Sequence, residues 1–125
     1  MWRRPILVSL ALLLGSVGAS AVAGSRQEVC GRPGKVACPL QAWMRQNIAA
    51  PLAKRDFDSL AKSFEQVSRL NPEPKHFSHW ERLSKEGAAA ARQKELAKLT
   101  SACSRCHELY RPKYIERHRE RRIEN

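Results

Sequence analysis

The segment Cys103-Ser104-Arg105-Cys106-His107 constrains the fold more than any other stretch of the chain. Its three chemically active side chains fall at positions i, i+3 and i+4. On an α-helix that spacing sets them about one turn apart along one side. The rest of the chain is patterned to supply such a helix. Leu40, Trp43, Met44, Ile48 and Leu52 recur at spacings of three and four, the period of a helix with one apolar face. Pro51 is expected to end or kink this first helix. Asp56 is a candidate N-cap for a second, with Phe57, Leu60, Ala61, Phe64, Val67 and Leu70 as its apolar face and Asn71-Pro72-Glu73-Pro74 as its stop. Ser78 and Glu81 have the spacing of a capping box and predict the start of a third helix, with Trp80, Leu83, Gly87 and Ala91 inward. Leu96, Leu99, Cys103, Cys106, His107 and Tyr110 define a fourth, after a turn near Arg92 to Lys94. Pro112 interrupts that pattern, and a charged helical tail resumes at Tyr114. No strand signal and no internal repeat occur. The expected fold is all-α: a four-helix up-down bundle with an N-terminal loop and a basic C-terminal tail.

The first 23 residues have the three parts of a secretory leader: Arg3 and Arg4, an apolar run from Ile6 to Leu14, and small-x-small sites ending at Ala21 and Ala23. That run is shorter than the roughly 20 residues that span a bilayer. The expected organisation is therefore a leader over 1–23, a Gly- and Pro-punctuated loop over 24–39, a helical domain over 40–114 and a basic tail over 115–125. Export places the chain in the periplasm, where disulfides persist, and Cys30 and Cys38 are expected to pair and tie down the loop. The formal net charge is +11. Such a chain suits an acidic protein partner or an anionic membrane surface, and export argues against nucleic acid. A homodimer is compatible with everything above.

Three chemistries use a Cys-x-x-Cys-His segment. A thiol redox pair needs a βαβ setting, which the pattern lacks. A zinc site needs four ligands, and the adjacent Cys106 and His107 suit one tetrahedral centre poorly. The third is attachment of a c-type haem: both thiols add across the vinyl groups on one porphyrin edge, and His107 reaches the iron as the proximal ligand. The leader supplies the compartment this chemistry requires. The sequence thus predicts one covalent haem c held by Cys103, Cys106 and His107.

With Ala102-Cys103-Ser104-Arg105-Cys106-His107-Glu108-Leu109-Tyr110-Arg111 near the end of a four-helix chain, the sequence resembles the cytochrome c-prime superfamily. Its members place the motif, then an aromatic and an arginine, on the last helix. The Asp56-Phe57 helix start is also similar. The resemblance covers Leu40 to Tyr114, while the Cys30–Cys38 pair and the basic tail depart from it and mark a divergent branch. It implies a haem between the first and last helices, with Arg111 near a propionate. It also implies a sixth iron position that is open or filled by a methionine of the first helix. Met44 is the candidate, since the only other methionine, Met1, belongs to the leader; it is equally readable as core packing.

Trp43 and Trp80 are candidates for packing on the haem. His76, His79 and His118 read as solvated. No acid–base pair or nucleophile with an orienting partner is evident, so no enzymatic activity is expected. The leading function is electron transfer through one covalent haem. The alternatives are a five-coordinate haem that binds nitric oxide or carbon monoxide as a sensor or scavenger, and a docking module whose basic surface matters more than its redox chemistry.

Overall fold

A computed structural model describes residues 29–124. The leader expected over 1–23 and the first part of the expected loop lie outside the described residues. The chain is all-α. α1 (Pro39–Met44), a π-helical segment (Arg45–Ala49) and α2 (Ala50–Ala53) run on as one rod, followed by α3 (Phe57–Arg69), α4 (Trp80–Arg92) and α5 (Leu96–His118). No described helix is long and apolar enough to cross a membrane.

Local chemistry accounts for most helix boundaries. Cys38 precedes Pro39 at the first helical turn, where proline costs no hydrogen bond. Asp56 caps α3 by accepting from the Ser59 N–H at 3.1 Å. The rod and α4 both end on a residue in the left-handed region, Arg55 (φ 55°) and Lys94 (φ 56°). In each case two backbone bonds close the turn. Asp56 N–H reaches Pro51 O and Arg55 N–H reaches Leu52 O; Glu95 N–H reaches Ala90 O and Lys94 N–H reaches Ala91 O. This is the Schellman arrangement, built here without its usual glycine, and it sets the expected turn after Arg92.

Two expectations need correction, and the one for Pro51 holds as a distortion rather than an end. Pro51 does not end the rod, which continues to Ala53; the distortion lies before it, as the π-helical segment. The Ser78–Glu81 box does not start α4. Its N-cap is His79, with no side-chain cap, and the His79 N–H donates instead to the Tyr110 hydroxyl at 2.8 Å. A partner 31 residues away thus replaces the local cap. Finally, α5 runs through Pro112 to His118, so no break separates the helical domain from the tail at residue 115.

The core has two parts. Leu60, Ala61, Phe64, Ala88, Ala90, Ala91 and Leu99 form one, between α3, α4 and the first turn of α5. Gly87 sits where a Cβ would come within 2.5 Å of the Phe64 ring, which explains why the smallest residue stands there. The other part is aromatic and joins Leu40, Trp43, Val67, Phe77, Trp80, Leu83, Tyr110 and Tyr114. Phe77, fully buried, is its centre, with ring centroids 5.8 Å from Trp80 and 5.2 Å from Tyr110. The Trp80 indole N–H donates to Val67 O at 2.7 Å, so its burial leaves no polar group unsatisfied.

The end of α5 is a latch on the α3–α4 loop rather than a solvated tail. Lys113 Nζ donates to His76 O (3.2 Å) and Arg121 to Leu70 O (2.6 Å). His118, expected at the surface, is 22 % exposed; its ring lies against Phe77 and Tyr114, and its Nε2 is 3.6 Å from Glu73. Glu73 also pairs with His76 (2.6 Å) and Arg117 (3.6 Å). Partial burial pushes the Glu73 carboxyl up, but the His76 hydrogen bond and the nearby cationic groups outweigh it and hold the carboxyl below its ordinary value. A carboxyl lowered on folding contributes stability above its unfolded pKa, and that contribution is lost as pH falls through the folded value. The urea midpoint of the wild type should therefore exceed that of Glu73→Gln at pH 7. The gap should narrow as pH drops below about 4.3 and close at lower pH. A gap unchanged between pH 7 and pH 3 would remove Glu73 from the latch.

Candidate functional site

Cys103, Cys106 and His107 lie near the middle of α5. Cys103 packs against the Leu60–Leu99 core, whereas Cys106 packs against the aromatic core. The motif therefore straddles the seam between the two. Both cysteines are free and half-buried. His107 is exposed, as is Leu96, another residue of that helix's pattern, at 36 %.

Ile48 on the rod spans the same seam, packing against both cores. Leu40, Trp43 and Met44 join it on the aromatic side, and Leu52 on the other. Yet no Cα of the rod lies within 8 Å of a Cα of α5. The rod and α5 share these cores without close backbone approach, while α3 and α4, and α4 and α5, pack directly. Glu86 ties the latter pair, accepting from Arg105 of the motif at 2.6 Å. Arg105 thus faces α4, and the motif's chemistry is left to Cys103, Cys106 and His107.

Burial pushes both thiols up, and burial together with the neighbouring Cys103 pushes Cys106 up to about 11. Both are neutral thiols at pH 7. A catalytic thiol pair needs the opposite shift, toward thiolate. Desolvation by its neighbours on the helix surface, and then Arg111 one turn further along, push the imidazole of the exposed His107 down. Its neutral form, the one that ligates metals, is favoured. Among the described residues no three His, Cys, Asp or Glu side chains gather around a common point; Cys103, Cys106 and His107 are neighbours on a helix without converging.

No family model, curated protein or solved structure matches the chain.

The remaining expected residues fall as follows. Arg111 is exposed on α5. Met44 is half-buried against the aromatic core that also receives Cys106. Trp43 and Trp80 are buried within that core, and Trp80 stacks on Tyr114 with centroids 6.0 Å apart. Cys30 and Cys38 stand at disulfide geometry, with Cα atoms 5.0 Å apart, and Cys30 Sγ lies 3.9 Å from the Arg119 carbonyl. The bridge thus joins the entry to the rod and touches the end of α5. His76 and His79 are exposed, as expected. Two shallow depressions of about 420 and 540 Å³ lie along α4 and the α4–α5 groove. Alanines and paired charges line them, and neither includes Cys103, Cys106 or His107. Two residues escaped the sequence reading. Phe77 lies in a loop, where no periodicity marks it, and Asn47 donates from Nδ2 to Trp43 O at 2.9 Å inside the rod.

Proposed function

We propose that the protein is an exported, periplasmic c-type cytochrome with one covalent haem c that transfers electrons and is not an enzyme. The observation that carries this reading is the placement of the motif. Two free thiols one turn apart, each half-buried against a different core, are followed directly by an exposed histidine. A rod lined by Met44, Ile48 and Leu52 packs against the same two cores, with none of its Cα atoms within 8 Å of a Cα of α5. The donor set fits the group. The thiols are unionised and unpaired, and thioether formation needs carbon partners rather than a shared ion. In this reading the helices form an up-down bundle and the haem lies between the rod and α5.

The haem supplies a one-electron couple when bound. The chain's own residues do the rest. Cys103 and Cys106 hold the group through thioethers, so retention does not depend on affinity. His107 offers a neutral nitrogen as the proximal ligand. Met44 offers a sulfur from the rod, a ligand that raises the potential relative to a second histidine. Arg111 is placed to pair with a propionate. Trp43 and the rest of the aromatic core exclude water from one side. The exposed basic residues Arg111 of α5 and Arg122 beyond its end belong to a surface for an acidic redox partner, whose association salt would weaken.

Absorption spectra of the purified oxidised and reduced protein test this. The ferrous form should be low-spin, and the ferric form should show the weak band near the red end of the visible range that marks a methionine sulfur on iron. Met44→Ala should abolish that band, lower the reduction potential and open the iron to carbon monoxide. A wild-type ferrous protein that is already high-spin and takes up carbon monoxide readily would make Met44 a core residue and favour the gas-binding alternative.

A further inference from the structure

Leu40, Met44, Ile48 and Leu52 repeat at intervals of four. An α-helix turns about 100° per residue, so each step of four drifts by about 40°. From Leu40 to Leu52 the stripe would wind by about 120° and leave one end of the rod facing away from α5. All four residues nevertheless pack inward: Leu40 is buried, and Met44, Ile48 and Leu52 are half-buried against the two cores. Arg45, Gln46, Ala49 and Ala50 between them are exposed.

The π-helical segment resolves the discrepancy. It takes one more residue into a turn, which returns about 100° of the drift. Its hydrogen bonding is visible at Ala50, whose N–H donates to Arg45 O five residues back. Its causes are local. Pro51 has no N–H, and in a regular helix its ring would strike the Asn47 carbonyl four residues earlier; the wider turn relieves that clash. Opening the turn frees carbonyls, and the Asn47 side chain takes up the one on Trp43 at 2.9 Å. The segment opens immediately after Met44, so what it realigns is the half of the rod that carries Met44.

We infer that Asn47 and Pro51 are positioning residues: they hold the π-turn that keeps Met44 in line with Ile48 and against the aromatic core that also receives Cys106, and so set the sixth position of the haem. The inference rests on the haem reading above and deepens it. Neither residue touches the iron. Each acts through the register of the rod, so its loss changes ligation while leaving the thioethers intact.

The test uses the full chain, matured with haem, in three forms: wild type, the double variant Asn47→Ala/Pro51→Ala, and Gln46→Ala as a change within the π-turn at an exposed side chain. Three readouts are taken: the ferric methionine band, ferrous carbon monoxide uptake and amide exchange at Ala50. In the double variant the regular helix becomes accessible. The band should be lost, ferrous carbon monoxide uptake should rise by about tenfold or more as the competent fraction grows, and Ala50 exchange should change. Gln46→Ala should match the wild type in all three. A double variant that keeps the band and the wild-type uptake rate overturns the inference while leaving the haem reading standing. A wild type that carries haem but shows no methionine band, and is unchanged by Met44→Ala, overturns it too. A wild type without covalent haem fails at the earlier step, the proposed function itself.

Discussion

Phe77→Ala is expected to destabilise the protein by about 3–5 kcal/mol, the range for truncating a buried aromatic side chain. Phe77 is fully buried, and its ring meets Trp80, Tyr110, Tyr114 and His118 at centroid distances of 5.2–6.4 Å. It belongs to a loop, but it is the piece around which α4 and the end of α5 close. The Tyr110 hydroxyl that caps α4 through the His79 N–H is held beside it. Loss of the ring therefore removes packing and loosens a helix start together. Urea unfolding of the wild type and variant would measure this. A change below about 1 kcal/mol, the scale of a surface substitution, would mean that the loop does not anchor the core.

The largest functional effect is expected from Cys103→Ala/Cys106→Ala. Each thiol is free and half-buried, and together they are the only proposed covalent hold on the haem. The double variant, expressed with a cytochrome c maturation system, should release all of its haem into acidified organic solvent, whereas the wild type should retain it. Each single variant should keep one thioether and give reduced yield. Because alanine suits helix interiors and both side chains are only partly buried, α5 should still form, which separates lost attachment from lost folding. Retention of haem by the double variant through extraction would disprove thioether attachment.

Much of the fold could be read from the chain because local signals and tertiary packing agree. The Asp56 cap, the apolar face of α3 and the inward row Trp80, Leu83, Gly87 and Ala91 all lie where the period of 3.6 places them. Where the sequence misled, a distant partner had replaced a local one. Ser78 and Glu81 spell a capping box, but the Tyr110 hydroxyl supplies the cap. His118 sits among arginines, as a surface residue would, but Phe77, Tyr114 and Glu73 draw it inward. Pro112 looked like a break, yet α5 passes through it with its far end fixed by Arg121 on Leu70 O. The π-turn was legible only in part. Pro51 signalled a disturbance, but the strict four-residue spacing of Leu40, Met44, Ile48 and Leu52 reads as ordinary helical periodicity until drift is counted.

That Cys103, Cys106 and His107 share one helix was legible from their spacing alone. Their surroundings were not, because which core each cysteine meets depends on how four helices pack. Placing Cys103 against one core and Cys106 against the other, with Ile48 across both, required the structure.

The central claim is a covalent bond, and an intact mass measured under denaturing conditions tests it most directly. The mature protein should weigh the polypeptide plus one haem, and that mass should survive denaturation and reduction. The bare mass of the polypeptide, or one lighter by the hydrogens of a Cys103–Cys106 disulfide, would contradict it.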